Sequence, residues 1–394
     1  MLGEWLLLIA LPISLYQVTG SALTTSLFVA VRLIPGIAVA SLAGTMVDRW
    51  DRRRTLIIAN FVQIAAVVPL IAFDRSGQVW IAFPSAFILS SMQQFVGPAE
   101  HALLPRLVDP DQLPVANALN TLNNNLARLI GPAIAGIVMS TSGLSATVAL
   151  TAAFYAIAAM LFLAISVASQ PGNSLAPIRT QTTSVRSDWA DGFKLLRRRP
   201  EVRTLVGVGN ISSFGQGIMG VMFVVWVTDV LGGGARELGW LMSAQAVGGI
   251  AGGLLLGLIV SRIAPISLFG YGAIVFGALD LALFNYPRAF EGLWIGVVLI
   301  GLVGLPAASY VTGLNTLMQE TVEDEYRGRV YGTMGMTGAI LQLSGTAIAG
   351  LLGGMLGPLF LLNLQGGAYV LQGVLALVLI GRVRTDRPEP AGGL

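Results

Sequence analysis

The sequence predicts an all-α polytopic membrane protein with about twelve transmembrane helices in two pseudo-symmetric six-helix bundles, and three observations support this prediction. First, 55% of the 394 residues are hydrophobic and only 11% are charged, whereas soluble domains carry roughly 25% charged residues. Second, apolar runs of about 18 residues or more, the length that crosses a bilayer, recur along the whole chain. Third, the second half of the chain repeats the pattern of the first half.

Charged residues and clusters of proline and glycine interrupt the apolar runs, and these interruptions mark the helices in chain order. The predicted spans are 1–18, 24–47, 55–73, 79–104, 116–141, 145–168, 203–230, 237–261, 265–286, 292–318, 330–356 and 360–381. The first span has no basic flank, which argues against a cleaved signal peptide. We expect either that helix 1 is truncated at its cytoplasmic end or that the true start lies upstream of Met1, and we favour the upstream start.

The repeat is visible when the second half is shifted on the first by 214 positions, because GPAIAG at 131–136 then aligns with GTAIAG at 345–350. Parallel repeats of six helices are a known architecture of membrane transport proteins. The predicted domains are an N-terminal bundle at 1–168, a polar cytoplasmic linker at 169–200, a C-terminal bundle at 201–381 and a cytoplasmic tail at 382–394.

Orientation follows from the arginine-rich loops, because cytoplasmic loops carry the positive excess. Residues 48–54, 179–203 and 382–387 fall on one side of the predicted topology, which places both termini in the cytoplasm. Lys194 is the one lysine among 23 basic residues, which indicates a GC-rich bacterial genome. We therefore expect a bacterial cytoplasmic membrane.

Several classes of function are excluded by residues that the sequence lacks. The absence of cysteine excludes disulfides and thiolate ligands, and a single histidine, His101, leaves little for a metal site. There is no phosphate-binding G-x-x-x-x-G-K-[ST] motif and no nucleophile elbow. The net charge of +3 is too small and too scattered for binding nucleic acid. We expect neither an enzyme nor a bound cofactor. Since no ATP-binding motif is present, an ion gradient remains as the driving force for transport.

The segment GTMVDRWDRRR concentrates charge between two apolar runs. It has a glycine, three residues, an aspartate and then a basic cluster, and it resembles the loop signature between helices 2 and 3 of the major facilitator superfamily. DRWDRRR, LLPRLVDPDQLPVANALN and ETVEDEYRGRV are similar to the branch that contains macrolide efflux pumps and the enterobactin exporter. This resemblance covers nearly the whole chain and implies a drug:proton antiporter that works as a monomer.

The resemblance assigns a gating role to this loop, in which the aspartate would dock at the start of helix 11 and hold the cytoplasmic side closed. The gating candidates are Gly44, Asp48, Arg49, Arg52 and Arg53. The alternative is a positive-inside topology signal alone. The loop before helix 11 is either a second gating element or ordinary helix capping. Its candidates are Glu320, Arg327, Gly328 and Arg329.

Helix 5 carries LARLIGPAIAG, which resembles the antiporter motif of facilitator exporters through Gly131, Pro132 and Gly136. The resemblance implies export. The alternative is that these small residues serve close helix packing.

Ionisable residues inside the bilayer usually face a cavity or a partner. Glu4, Arg32 and Arg128 are predicted to share one layer, where Glu4 would carry the coupled proton; Glu100 is a further candidate. The alternative is a static ion pair. Asp280 is expected at the membrane interface, because its helix is peripheral in this fold.

A pocket between helices of both halves is predicted to combine scattered amides with apolar walls, which suits amphipathic organic molecules better than sugars. Its polar candidates are Gln93, Gln94, Asn210, Gln216, Gln245, Tyr310, Asn315 and Gln342. The predicted function is proton-coupled export of small amphipathic or lipophilic molecules, of the drug or siderophore class, by alternating access. The predicted partners are that small-molecule substrate and the lipid bilayer. The alternatives are a nutrient importer or uniporter of the same fold, and a non-transporting membrane sensor or scaffold.

Overall fold

The computed structural model describes residues 1–39, 43, 46–47, 49–74, 76–165, 197 and 199–381, and all regular secondary structure within them is helical. The α-helices are α1 Leu2–Thr19, α2 Ala22–Ala38, α3 Arg52–Val67, α4 Ala82–Leu103, α5 Leu113–Ala164, α6 Pro200–Gly209, α7 Ile211–Val225, α8 Ala235–Ile259, α9 Pro265–Asn285, α10 Leu293–Thr321 and α11 Asp324–Leu375. Short 3-10 segments connect α3 to α4, and π-helical turns extend α7 and α11.

Two of these helices are double. α5 and α11 each contain 52 residues, and each is broken by one glycine, Gly143 with φ 78° and Gly357 with φ 75°. Glycine adopts such angles because it has no Cβ. Nine helical segments of the described chain are long and apolar enough to cross a membrane, among them these two double segments, and α2 is a shorter apolar helix. Each of the twelve predicted spans thus has a helical counterpart.

The predicted span 203–230 differs from the structure in one respect. It is interrupted at Asn210, which separates α6 from α7. The side chain of this residue is buried, and its Nδ2 donates hydrogen bonds to Met334 O at 3.1 Å and to Thr337 Oγ1 at 2.6 Å. Asn210 therefore attaches the helix break to α11.

The chain forms two compact units. Unit 1 comprises Met1–Val185 with Gly233–Trp240, and unit 2 comprises Arg186–Gly232 with Leu241–Leu394. In unit 1, α1 packs on α5, and α4 packs on α2 and α3. In unit 2, α7 packs on α11, while α9 packs on both α10 and α11. The linker predicted at 169–200 and the tail predicted at 382–394 lie almost entirely outside the described residues.

Apolar side chains occupy the outer surface of these helices as well as the interior. Leu254, Leu258 and Met355 are 71%, 75% and 84% exposed. Such exposure is favourable when the surrounding solvent is lipid, because lipid tails are as apolar as leucine.

Candidate functional site

A small cavity inside unit 1 brings together several of the predicted polar residues. Its polar lining is Glu4 of α1, Arg32 of α2, Ser90 and Gln93 of α4, and Tyr155 of α5. The remaining wall is apolar: Leu7, Leu8, Leu11, Phe28, Ala86 and Leu89. The volume open to water is about 30 Å³, which is enough for at least one water molecule.

Glu4 and Arg32 are half-buried at this cavity, and their charges interact with each other and with the Tyr155 hydroxyl. The ion pairs formed between described residues do not include a direct Glu4–Arg32 pair within 4.0 Å. The predicted meeting of these two residues is therefore observed, but as opposite charges across a cavity and not as a closed salt bridge.

The other proposed coupling residues lie elsewhere. Arg128 is exposed on α5 and does not line the cavity, so it does not face Glu4 and Arg32 there; that the three residues share one layer stays a prediction. Its register on the helix, which spacing along the chain cannot reveal, turns it away. Glu100 lies two turns beyond Gln93 on α4 and interacts electrostatically with the amino group of Met1, with His101 and with Glu4.

Gly131 of the antiporter-like motif explains how α1 can approach α5 beside this cavity. A Cβ built on Gly131 would lie 2.6 Å from Trp5 Cβ, and one built on Gly136 would lie 2.6 Å from the carbonyl oxygen of Ala235. The carbonyl of Pro132 is likewise within 2.4 Å of a Cβ built on Gly239. The motif is thus a close-packing surface, and Gly131 sets the position of the residue next to Glu4.

The charged loop is only partly described, since Gly44 and Asp48 lie outside the described residues. Arg49 is exposed. Asp51 caps α3, because its Oδ1 accepts a hydrogen bond from Arg54 N at 2.8 Å. The Nε of Arg52 is buried without a hydrogen-bond partner in the described chain.

Arg53 has a role that the sequence prediction missed. Its Nε donates to Phe162 O at 2.7 Å and its Nη2 donates to Leu163 O at 2.6 Å. These carbonyls belong to the last turn of α5, where a cation satisfies unpaired acceptors and complements the helix dipole. The partners are about 110 residues away in sequence, so no local signal could have revealed the cap.

Arg327 has the same function in unit 2. Its Nη2 donates to Gln319 O at 2.6 Å and its Nε donates to Val322 O at 3.1 Å, which closes the end of α10, and it also pairs with Asp324. Glu323 forms a 2.9 Å salt bridge with Arg199.

The other residues of this loop are more open. Glu320 is exposed, and a Cβ on Gly328 would meet nothing within 4 Å. The guanidinium of Arg329 lies 5.7 Å from the ring centre of Tyr326. The contacts of Arg327 are those of helix capping, whereas Glu323 forms an ion pair with Arg199.

The pocket candidates divide by environment. Gln93 lines the cavity of unit 1, whereas Gln94 Nε2 donates to Ser90 O in its own helix. In unit 2, Gln216 and Tyr310 are joined through Tyr369, whose hydroxyl forms hydrogen bonds with both side chains. The amide group of Asn210 is occupied by its hydrogen bonds to α11. Gln245 and Gln342 are half-buried, and Asn315 is exposed.

Asp280 is buried inside the protein, and the expectation that it lies at the level of the membrane interface stays a prediction. It is 2% exposed and lies five residues before the end of α9, and its Oδ2 accepts a 2.7 Å hydrogen bond from Gln365 Nε2 of α11. The reason is that α9 packs against α10 and α11 along its length, which encloses this face.

A metal centre has no support among the residues that the structure describes, where no group of three or more His, Asp or Glu side chains is found. The polar groups present can hold and move protons and can bind polar parts of an organic molecule.

Comparisons with known proteins agree with this architecture. The chain is 27% identical over 348 residues to macrolide efflux protein A of Streptococcus pyogenes, which covers 86% of this chain and 82% of the relative. It is 25% identical over 343 residues to the multidrug efflux pump Tap of Mycobacterium tuberculosis, with 84% and 79% covered. The predicted resemblance to macrolide efflux pumps is confirmed.

The fold is shared with a bacterial homologue of the iron transporter ferroportin solved in an inward-facing state. The TM-score is 0.74 at 15% identity, and the match covers 97% of this chain and 96% of the other. The predicted all-helical transporter fold is confirmed. The sequence model of the Major Facilitator Superfamily matches residues 1–342 and 205–393, so the chain belongs to that superfamily.

Proposed function

We propose that this protein exports small amphipathic or lipophilic molecules across the bacterial cytoplasmic membrane in exchange for protons. The named activities of its relatives, macrolide efflux and multidrug efflux, support the direction of transport and the substrate class. The observation that carries the proton coupling is the position of Glu4 at a cavity opposite Arg32.

The Glu4–Arg32 arrangement can convert proton binding into helix movement. An ionised Glu4 attracts the guanidinium of Arg32 across the cavity, and this attraction holds α1 towards α2. Protonation of Glu4 removes the attraction and leaves Arg32 as an uncompensated charge in a mostly apolar environment, which is costly. The two protonation states therefore favour different packing of α1 against α2.

The size of the cavity separates the proton site from the substrate site. Pockets for drug-sized ligands have about 300 to 1,000 Å³, whereas the water-accessible volume here is about 30 Å³. We therefore assign the cavity to the proton and expect a substrate site to form only when the helices rearrange during alternating access. Asp48 is proposed as the gate on its sequence motif, with Arg52, four residues later in the sequence, as the proposed donor.

The test is the accumulation of lipophilic dyes and macrolides in cells that express the protein, with and without a protonophore. We expect depletion by the wild type, loss of depletion with the protonophore, and an efflux rate lower by at least about tenfold in Glu4→Gln and in Asp48→Asn. Glu291→Gln is the matched control, because Glu291 is an exposed carboxyl outside the helices. Unchanged efflux in Glu4→Gln would exclude Glu4 as the coupling acid. Increased accumulation in expressing cells would favour an importer.

A further inference from the structure

A buried acid lies in unit 2, whereas the Glu4 cavity is formed by residues of unit 1. Asp280 is 2% exposed and Gln365, its hydrogen-bond donor, is also 2% exposed. The bond joins α9 to α11 at 2.7 Å. None of the ion pairs between described residues includes Asp280. A carboxylate here would have only a neutral amide to compensate its charge.

The cost of that charge favours the neutral acid. An ionised aspartate that is buried inside a membrane protein without an opposite charge is costly. One hydrogen bond from an uncharged amide offsets only part of this cost. The environment of Asp280 is therefore suited to a protonated carboxyl.

Gln365 supplies an independent observation. Its Oε1 is buried and accepts no hydrogen bond in the described structure, although an unsatisfied buried acceptor is unfavourable. Oε1 belongs to the same amide group as the Nε2 that donates to Asp280. A proton on Asp280 would give this acceptor the donor that it lacks.

The hydrogen-bonded side chains near Asp280 lead outward. Tyr369 of α11 is within electrostatic range of Asp280, and its hydroxyl forms hydrogen bonds with Tyr310 of α10 and with Gln216 of α7. Gln216 is exposed, whereas Tyr369 is buried. The polar side chains around Asp280 in the described chain are Gln365, Tyr369, Tyr310 and Gln216, and none of them is charged at neutral pH.

We propose that Asp280 is a second proton-binding site, which holds its proton against Gln365 when α9 and α11 are packed as described and exchanges it through Tyr369 and Gln216. The proton is held on the carboxyl oxygen and leaves as a hydronium ion or to a water molecule, so that no other bond is made or broken. Its use in transport depends on the proposed proton-driven efflux, but the binding of a proton does not.

The experiment is infrared difference spectroscopy of the full-length protein in lipid vesicles, with the buffer stepped between acidic and alkaline pH and no substrate present. We expect a C=O stretching band of a buried carboxylic acid that is lost in Asp280→Asn and is retained in Asp109→Asn, the matched change at an exposed aspartate. Gln365→Leu should shift the band, because it removes the amide from the carboxyl. An identical band in the wild type and in Asp280→Asn would overturn the proposal.

Tyr369→Phe keeps both the carboxyl and its amide, so it tests the site even if Asp280→Asn does not fold. We expect the Asp280 band to persist and its pH-driven exchange to slow by at least about tenfold; an unchanged rate would refute the route through Tyr369. If the wild-type protein shows the Asp280 band but exports no probe, the proposed function is refuted and the proton site is retained. If the protein shows protonophore-sensitive efflux but no Asp280 band, the proton site is refuted and the proposed function is retained.

Discussion

Glu4 and Asp280 are two acids in membrane-spanning helices whose surroundings differ. Glu4 is half-buried at a cavity and faces the opposite charge of Arg32. Asp280 is fully buried in a packed bundle and faces the neutral amide of Gln365. The first acid has an opposite charge near it and the second has only a neutral amide, so one superfamily fold provides two environments for the same chemical group.

The repeat does not duplicate either acid. At the offsets of 213 and 214 residues that align the two halves, Glu4 corresponds to Gly217 or Ile218, and Asp280 corresponds to Val67 or Ala66. The halves therefore share a helical framework but differ in the charge that they bury.

The largest effect on efflux and stability is expected from a change at Gly131, where close packing positions α1 and therefore Glu4. Gly131→Leu would put side-chain atoms where Trp5 Cβ already lies 2.6 Å from the Cβ position, so α1 must move away from α5. We expect loss of efflux and a decrease in the free energy of unfolding of about 3 kcal/mol, measured by SDS titration in mixed micelles. Gly253→Leu is the control, because nothing lies within 4 Å of that Cβ position. Equal stability of the two variants would contradict the role given to Gly131.

A smaller effect is expected when the charge at the cavity is removed. Glu4→Gln leaves Arg32 without its counter-charge, and we expect a loss of about 1 to 2 kcal/mol, less than for a fully buried pair because both groups are half-buried. The double variant Glu4→Gln with Arg32→Gln should recover most of that stability without recovering efflux. A double variant that is no more stable than Glu4→Gln alone would show that the two charges are not coupled.

The smallest effect is expected at Asp280. Asparagine has the shape of a protonated aspartate, can accept the hydrogen bond from Gln365 Nε2 and can donate to the orphaned Oε1. We therefore expect Asp280→Asn to change the free energy of unfolding by less than about 0.5 kcal/mol at neutral pH, in the same SDS titration. A loss greater than that of Glu4→Gln would mean that Asp280 is ionised in the folded protein, which would remove the contrast between the two acids.

Hydropathy predicted the helices well because each span is a local property of about 18 or more consecutive residues. The breaks near Gly143 and Gly357 were also predictable, since glycine separates the paired spans in both halves. The break at Asn210 was not, because it depends on side-chain bonds to α11, more than 120 residues away.

The site was predictable in composition but not in arrangement. Intramembrane charge identified Glu4 and Arg32, and the structure brings both to one cavity. The burial of Asp280 depends on which face of α9 meets α11, and the capping by Arg53 depends on where α5 ends. These are tertiary contacts that one-dimensional spacing does not encode.

Gly143 and Gly357 are separated by 214 residues, which is the offset of the repeat, so both halves reverse a helix at the same place with a single residue. A connection of one residue leaves the two helices little freedom to move relative to each other. A tilt of the first helix in such a pair therefore moves the second helix with it. The flexibility that a conformational cycle needs must come from other connections of the chain. A few flexible residues inserted at Gly143 or Gly357 would uncouple the movements of the two helices in that pair.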